Sequence, residues 1–218
     1  MLLNLDAGEH DFETEELWGL ADILSIACGG HAGDAASMKR LAEFCAKHQK
    51  GVGAHPSYPD RDNFGRVSVT MPPESLAIDV RTQCQDLARV SPVRVGWVKP
   101  HGALYHDAAK VRVLAEAVID GATSALESFV LIGPPTGKLA DVAGERGITY
   151  LREGFADRAT KPDGSLVPRS EPGALITDPA AAAARAREIM HHVDLICVHS
   201  DTDGAIAIAR AVREAIRA

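Results

Sequence analysis

Seven short apolar runs alternate along the chain with segments whose apolar residues recur at helical spacing. The runs cover residues 2–6, 23–26, 52–54, 93–98, 129–132, 148–151 and 194–198. Each run is short enough to be one buried strand, and the segments between the runs are long enough to be crossover helices. This alternation predicts an α/β protein with a parallel sheet, either open or closed into a β/α barrel.

Charged side chains and histidines follow at least five of the predicted strands, at the point where each strand ends. The C-terminal ends of the strands of a β/α barrel converge on one site, whereas an open doubly wound sheet gathers fewer loops at its switch point. An eight-stranded barrel needs about 250 residues, and this chain has 218. We therefore expect an incomplete or a seven-stranded, TIM-like (β/α) barrel that forms a single domain over residues 1–218.

Composition and charge indicate which kinds of molecule the protein binds. The formal net charge is −7 and the pI is about 5.7, and no lysine or arginine cluster offers a basic surface to nucleic acid or anionic lipid. The apolar runs are shorter than the ~18 residues of a membrane span, and the N-terminus lacks the regions of a signal peptide. The four cysteines have no paired spacing. We expect a cytoplasmic protein with reduced thiols that binds small molecules or other proteins, not nucleic acid or membrane.

The segment from Ile26 to Asp34 reads Ile-Ala-Cys-Gly-Gly-His-Ala-Gly-Asp and joins the second predicted strand to the next helix. Its three glycines allow a sharp turn and a close approach to a ligand. His31 supplies a proton carrier or a metal ligand, and Asp34 is either an acceptor in the site or the N-cap of the helix. We expect this helix to continue to about Lys50 and to end at Gly51 as its C-terminal cap.

The groups that follow the strands are typical of a hydrolase. Carboxylates and histidines can hold a metal ion or act as general acid and base, and a lysine or arginine can bind a substrate carboxylate or a developing oxyanion. No nucleophile-elbow sequence supports serine-type catalysis. The groups expected to converge are Asp6, Glu9, His31, Asp34, His55, Lys99, His101, Glu153, Asp157, Arg158, His199 and Asp201.

Two further segments have sequences that indicate a function less specifically. Residues 133–138 follow a strand and open a helix like a Walker A loop, but the segment is one residue short. Leu139 also stands where a serine or threonine would hold magnesium, so the segment is only a weak phosphate-binding candidate. Residues 159–173 contain turn-forming sequences and are too polar for a core, which favours a lid or rim loop.

Several long motifs, in the same order along the chain, resemble those of the LamB/YcsF family, the A subunits of bacterial 5-oxoprolinases. They are NxDxGE at 4–9, CGxHAGD at 28–34, GAHPSxPD at 53–60, NFGR at 63–66, KPHGALY at 99–105, FADR at 155–158 and LVPR at 166–169. The resemblance implies a barrel of the glycoside hydrolase/deacetylase type. It also implies ATP-dependent ring opening of 5-oxo-L-proline to L-glutamate together with the B and C subunits, with ATP as a co-substrate of the complex.

Three residues depart from the usual pattern of the family. His106 stands where Asn is usual, Thr160 stands where Tyr is usual, and Ser200 interrupts a usual His-Gly-Asp. These differences concern the rim of the pocket and the preferred substrate more than the class of reaction.

The implied reaction suggests a role for each group. A lactam is a poor electrophile, so phosphorylation of its oxygen creates a leaving group and exposes the ring carbon to water. We expect Lys99 and His101 to stabilise the oxyanion and Arg158 to hold the substrate carboxylate. The groups expected to position or deprotonate water are Asp6, Glu9, His31 and His55. The other expected substrate contacts are Asp34, Arg66, Tyr105, Asp157 and Arg169.

Two alternatives stay open at this point. One is a metal-dependent amidohydrolase or deacetylase that needs no ATP and holds a divalent metal through Asp6, His31 and His55. The other is a non-catalytic subunit that binds the lactam and activates its partners. The density of ionisable groups after the strands argues against this second alternative.

Overall fold

The computed structural model describes residues 1–161, 166–169 and 171–217. Within these ranges the strands are β1 (Leu2–Ala7), β2 (Ile23–Ala27), β3 (Gly51–His55), β4 (Val95–Val98), β5 (Val130–Gly133), β6 (Tyr150–Phe155) and β7 (Leu195–His199). The helices are α1 (Glu15–Leu20), α2 (Ala35–His48), α3 (Pro73–Val90), α4 (Gly102–Lys110), α5 (Arg112–Ala125), α6 (Lys138–Glu145), α7 (Pro179–Ile189) and α8 (Ala205–Arg217). None of these helices is long and apolar enough to cross a membrane.

The seven strands are parallel and form one closed barrel. Each strand pairs with the next along the chain, and β7 pairs with β1 to close the ring. The register places Asp6 level with His199 and Ala27 level with His55. The predicted seven-stranded β/α barrel is confirmed, and the C-terminal ends of its strands meet on one side.

Side chains alternate across the barrel wall because successive residues of a strand point to opposite faces. On β1, Leu3 and Leu5 are buried in the main apolar core that includes residues of the helices. Inside the barrel, a separate apolar cluster forms the floor. It consists of Ile23, Trp97, Ile132, Leu151 and Leu195. The polar interior side chains therefore lie above this floor, towards the C-terminal ends of the strands.

The sixth strand is longer than the sequence predicts. The expected strand ends at Leu151 and leaves Glu153 in a loop, but β6 continues to Phe155. Pairing with β7 extends to Phe155 beside Cys197, which keeps this polar segment extended. As a result Glu153 lies in the barrel wall and is only 1% exposed.

The second helix ends before the predicted residue. Its C-cap is Gln49, which has a left-handed backbone with φ of 54°, a conformation that glycine usually takes. Gly51 instead begins β3, paired with Ile23. A Cβ at Gly51 would lie 2.6 Å from the ring of Trp97. The prediction of Gly51 as the helix cap is wrong, because this glycine makes room for a side chain inside the barrel.

The segment predicted to be a lid or rim loop is described only in part. Its turn sequence at 162–165 and Ser170 lie outside the described residues. The Val167 N–H donates to the Ala159 carbonyl at 3.0 Å, and the Ala159 N–H donates to the Ala174 carbonyl at 2.9 Å. These bonds join the first residue of the segment to Val167 within it and to Ala174 just after it, and its role as a lid stays a prediction.

Alanine at Gly33 is expected to destabilise the protein more than alanine at Gly147. Both glycines have a left-handed backbone, with φ of +76° and +67°, so both variants share a cost of about 1–2 kcal/mol. Only the new Cβ at Gly33 would meet fixed backbone, at 2.4 Å from the Ala27 carbonyl oxygen, whereas Gly147 has open space. Urea unfolding should show an additional loss of about 1–3 kcal/mol for Gly33→Ala. Equal losses would contradict the tight turn.

Candidate active site

A single ammonium group joins two carboxylates inside the barrel. Lys99, just after β4, places Nζ 2.7 Å and 3.0 Å from the two carboxylate oxygens of Asp6. The same Nζ lies 2.9 Å from Glu153 Oε1 and 3.2 Å from Cys197 Sγ. All four side chains are buried. We call Asp6, Lys99 and Glu153 the lysine cluster.

Charge compensation decides the ionisation of the lysine cluster. Burial alone would raise the pKa of Asp6, but His55 and Lys99 hold this pKa well below its usual value. Burial would lower the pKa of Lys99, but the negative charge of Asp6 leads the effects that raise it well above its usual value. For Glu153, burial raises the pKa and Lys99 offsets this only in part. Glu153 is therefore the carboxylate of the cluster that protonates first.

The hydrogens of the Lys99 ammonium group already have acceptors inside the barrel. An ammonium group has three hydrogens, and Asp6, Glu153 and Cys197 are in position to accept all three. An oxyanion in the cavity would have to displace one of these partners. Lys99 therefore fixes the two carboxylates, and its role at an oxyanion stays a prediction.

Three histidines surround the carboxylate of Glu9 next to the lysine cluster. Glu9 Oε1 lies 2.9 Å from His31 Nε2 and 3.1 Å from His101 Nδ1. His55 Nε2 lies 3.7 Å from the same oxygen and 3.0 Å from His101 Nδ1. The rings of His31 and His101 stack in parallel with their centroids 3.6 Å apart. We call these four buried residues the imidazole cluster.

Burial and neighbouring charge set the protonation of the imidazole cluster. Burial alone would raise the pKa of Glu9, but hydrogen bonds with His101 and His31 hold it well below its usual value. Burial lowers the pKa of His31 to about 3, and burial also lowers the pKa of His101. For His55, the charge of Asp6 outweighs burial and raises the pKa. His55 is therefore the ring of the cluster that takes up a proton most readily.

The imidazole cluster also has the donor set of a transition-metal site. Its four donor atoms lie within 4.8 Å of one another, and imidazole nitrogen with carboxylate oxygen suits zinc and related divalent ions. For the metal-dependent alternative, the sequence predicts Asp6, His31 and His55 as ligands. The structure groups the two histidines with Glu9 and His101 instead, while Asp6 belongs to the lysine cluster.

A carboxylate–imidazole pair follows β6 and β7. Asp157 accepts hydrogen bonds from the backbone N–H of His199 at 2.9 Å, from its ring Nδ1 at 2.9 Å and from the Thr202 hydroxyl at 2.7 Å. The Nδ1 contact fixes the tautomer and leaves Nε2 free, 3.8 Å from Asp6 Oδ2. Burial would raise the pKa of Asp157, but the attraction of a protonated His199 and the hydrogen bonds from His199 and Thr202 outweigh burial and lower this pKa. An imidazole oriented by a carboxylate is the arrangement of many general acid–base catalysts.

The structure places His199 and Asp157 in contact with each other. From the sequence alone, His199 has no specific role and Asp157 is expected to contact substrate. In the structure the Asp157 carboxylate is fully buried and orients His199, which lines the main cavity. The signal in the sequence was the position of the two residues. His199 ends β7 and Asp157 follows β6, and neighbouring strands of a barrel bring such residues together.

The main cavity, with a volume of about 640 Å³, is lined by three arginines. Asp201 Oδ2 accepts from Arg66 at 2.6 Å and from Arg169 at 2.8 Å. The buried guanidinium of Arg158 donates from Nη2 to the Val167 carbonyl at 2.9 Å, and its Nε has no partner among the described residues. Burial lowers the pKa of Arg158 to about 10, which still leaves it charged at neutral pH. This arginine wall suits a small anion.

Two other expected substrate contacts lie in different places. Tyr105 lines the main cavity, together with His106. Asp34 lies away from it, as the N-cap of α2, where its exposed side chain and that of Ser37 form a capping box. Asp34 faces a second cavity of about 390 Å³ that the imidazole cluster also reaches. Of the two roles considered for Asp34, the structure confirms the N-cap.

Residues 133–138 do not form part of either cavity lining. Lys138 Nζ lies 3.0 Å from Asp141 Oδ2 on the surface. A Cβ at Gly137 would lie 2.5 Å from the Ala109 carbonyl oxygen, so this loop packs closely on α4. These contacts give the weak phosphate-binding candidate no further support.

The three departures from the family pattern have separate surroundings. His106 lines the main cavity, so it can affect the ligand directly. The Ser200 hydroxyl donates to Glu13 Oε1 at 3.0 Å, and Arg185 Nη2 donates to Thr160 Oγ1 at 3.2 Å. Of the three, His106 is the one placed to change substrate preference.

Lys99→Met is expected to cost about 3–5 kcal/mol of unfolding free energy, because removal of one partner leaves buried carboxylates without compensation. Lys138→Met is the matched control. Lys138 is about half exposed in its pair with Asp141, and a surface pair contributes less than about 1 kcal/mol. Urea unfolding at neutral pH measures both changes. Similar losses in the two variants would contradict the central role of the lysine cluster.

Asp157→Asn is expected to cost about 1.5–3 kcal/mol at neutral pH, the range for hydrogen bonds to a charged group. A carboxylate with a lowered pKa stabilises the folded state above its unfolded pKa of about 3.9, and this stabilisation is lost as the pH falls through the folded-state pKa. The difference in unfolding free energy between wild type and variant should therefore be largest at neutral pH and should decrease below about pH 4. Unfolding curves at both pH values test this, and a constant difference would contradict it.

Known proteins resemble the chain in sequence and in fold. The LamB/YcsF family matches residues 2–218. The A subunit of the 5-oxoprolinase of Streptomyces avermitilis is 39% identical over 238 residues, which cover 99% of this chain and 95% of the relative. The lactam utilization protein of Thermus thermophilus has a TM-score of 0.88 and 32% identity, and the match covers 100% of this chain and 96% of that one.

A more distant structure shares the fold alone. The T48 deacetylase, solved with substrate, has a TM-score of 0.50 and 11% identity, with 99% of this chain and 82% of that chain covered. The family match, by contrast, spans nearly the whole sequence, and the relatives above 30% identity span nearly their whole length. The chain belongs to the LamB/YcsF family.

Proposed function

We propose that this chain is the A subunit of 5-oxoprolinase and acts with the B and C subunits in the ATP-dependent hydrolytic ring opening of 5-oxo-L-proline to L-glutamate. The observation that carries the proposal is the main cavity, which combines acid–base groups with an arginine wall. The names of the two relatives above 30% identity support a lactam as the substrate. The proposed enzyme class is therefore a hydrolase of a cyclic amide C–N bond.

The substrate has two ends, and the cavity offers partners for both. 5-Oxo-L-proline carries a carboxylate, which matches the buried guanidinium of Arg158. The lactam ring would then lie over Asp6 and His199, which line the same cavity. Phosphorylation of the lactam would add negative charge, for which Arg66 and Arg169 provide further cations at the rim.

The chemistry explains the need for ATP. The nitrogen lone pair of a lactam is delocalised into the carbonyl, which makes the carbon a poor electrophile. Transfer of the γ-phosphoryl group of ATP to the lactam oxygen creates a leaving group. Water then adds to the ring carbon and loses a proton to a base, and the ring C–N bond breaks as the nitrogen takes up a proton. The resulting acyl phosphate reacts with a second water molecule to give glutamate and inorganic phosphate.

His199 is the best-placed proton carrier for these steps. Asp157 holds its Nδ1–H, which leaves Nε2 free to accept and return a proton. Asp6 lies 3.4 Å from His55 Nε2 and 3.8 Å from His199 Nε2, so it can stabilise a positive charge on either ring. Lys99 and His101 take positioning roles, because their N–H groups already contact acceptors within the protein.

ATP is the co-substrate of the proposed complex rather than a ligand assigned to this chain. A cytoplasmic location, where ATP is available, remains a prediction. Glutamate release should be measured from 5-oxoproline and ATP with this chain alone, with the B and C subunits added, and with B and C alone. Activity in the full mixture only would support the proposal. Amide hydrolysis without ATP would favour a metal-dependent amidohydrolase or deacetylase instead.

Two variants separate catalysis from substrate binding in the full mixture. His199→Gln is expected to lower kcat by about 10²–10⁴-fold, the usual contribution of a general acid–base catalyst. Arg158→Gln is expected to raise KM for 5-oxoproline by about 10–100-fold, because a charged hydrogen bond of about 1.5–3 kcal/mol is lost. Arg152→Gln is the matched control, since this exposed arginine pairs with Asp194 outside the cavity.

These measurements also test the non-catalytic alternative. A folded His199→Gln variant that binds its partners and keeps full turnover would show that this chain recognises the lactam without acting on it. Full turnover in His31→Gln would likewise remove the imidazole cluster from the reaction. Loss of kcat in His199→Gln, with an unchanged Arg152→Gln control, would support catalysis in this cavity.

A further inference from the structure

The donor atoms of the imidazole cluster lie at the distances expected between ligands of one metal ion. Tetrahedral zinc with bonds of about 2.0–2.1 Å keeps its ligand atoms about 3.3 Å apart. Four of the donor pairs in the cluster are 2.9, 3.0, 3.1 and 3.7 Å apart, values that lie on both sides of this distance. Each residue comes from the C-terminal end of a different strand, β1 to β4, or from the loop after it. The closure of the barrel therefore brings the four donor residues together.

Hydrogen bonds outside the cluster leave lone pairs that point into it. His55 Nδ1 lies 2.7 Å from the Lys99 carbonyl, and His101 Nε2 lies 3.0 Å from the Phe64 carbonyl. A carbonyl oxygen can only accept, so each of these nitrogens carries the hydrogen. In neutral rings, His55 Nε2 and His101 Nδ1 are then both acceptors, 3.0 Å apart and next to the Glu9 carboxylate. Three acceptors in contact need a shared cation, which is either a metal ion or a proton on one of the rings.

We propose that the imidazole cluster binds one divalent transition-metal ion, with zinc the best match. Three imidazole nitrogens and one carboxylate oxygen are donors that zinc prefers, and four protein ligands complete its tetrahedral shell. The backbone carbonyls that hold two of the rings are the outer partners that metal-bound histidines commonly have. The ligands are Glu9, His31, His55 and His101. Asp6 is outside this set, because its carboxylate is held by Lys99.

The ion has a defined position relative to the two cavities. His55 and His101 line the main cavity, whereas Glu9 and His31 line the second one. The ion therefore lies in the partition between the cavities and joins the ends of the first four strands. A closed four-ligand shell is typical of structural sites, so the ion fixes this partition beside the substrate cavity. Metal binding depends on the cluster alone and is measured without substrate, so metal binding and the proposed function can fail independently.

The full chain, first freed of metal by a chelator, should be titrated with Co²⁺ and then with Zn²⁺. We expect one Co²⁺ per chain, with the intense visible absorption of four-coordinate cobalt, and loss of this absorption as Zn²⁺ replaces it. Absence of bound metal would overturn the proposal and leave a protonated imidazole as the shared cation. The weak absorption of six-coordinate cobalt would also overturn it.

Variants locate the ion. Glu9→Gln and His31→Gln should weaken Co²⁺ binding by more than the about 10–100-fold typical of losing an outer partner. His199→Gln is the matched control, because His199 belongs to a separate group of close donors with Asp6 and Cys197. This control should keep one Co²⁺ per chain. Loss of Co²⁺ in the control but not in Glu9→Gln would overturn the assignment. Circular dichroism of each metal-free variant separates loss of a ligand from loss of folding.

Discussion

The ammonium group of Lys99, held between Asp6 and Glu153, is the interaction on which the barrel interior depends. Three ionisable side chains are buried there above an apolar floor. A buried charge without a partner costs several kcal/mol, so such a layer persists only where each charge is compensated. Lys99 reaches this position from β4 and contacts residues of β1, β6 and β7. One side chain thus ties four strands of the ring together.

Neutral side chains connect the lysine cluster to neighbouring strands by hydrogen bonds. Ser25 donates to Asn4 Oδ1 at 2.9 Å, and Asn4 Nδ2 donates to Glu153 Oε1 at 3.2 Å. On its other side, Asp6 lies next to the rings of His55 and His199. Such connected hydrogen bonds strengthen one another in a medium of low dielectric constant. The imidazole cluster and the His199 pair therefore share one rigid support, and a change at Asp6 affects both.

The sequence carries the order of the elements and the closure of the barrel, because short apolar runs alternate with amphipathic segments. It also indicates which loops hold the site, since polar residues such as His31 and His55 directly follow strands.

Local pattern could not show that β6 continues through Glu153, because that segment is polar and its extension depends on pairing with β7. Nor could it show that Gly51 serves packing inside the barrel instead of helix capping. The sequence shows which residues belong to the site more readily than it shows which of them contact each other. Lys99 and Asp6, for example, are in contact but 93 positions apart in sequence. Residue type and strand position identify a site, while the partners of each donor decide its chemistry.

The charge of the cavity differs from the charge of the chain. The formal net charge of −7 repels anions at a distance. Among the described residues, however, Arg66 and Arg169 have only Asp201 as a direct carboxylate partner, and Arg158 donates to the Val167 carbonyl. The wall therefore keeps positive charge, and a partly enclosed site strengthens its field. In the proposed reaction the phosphorylated lactam carries more negative charge than the lactam itself. The same wall then binds the activated form more tightly, so binding energy favours the species that reacts with water.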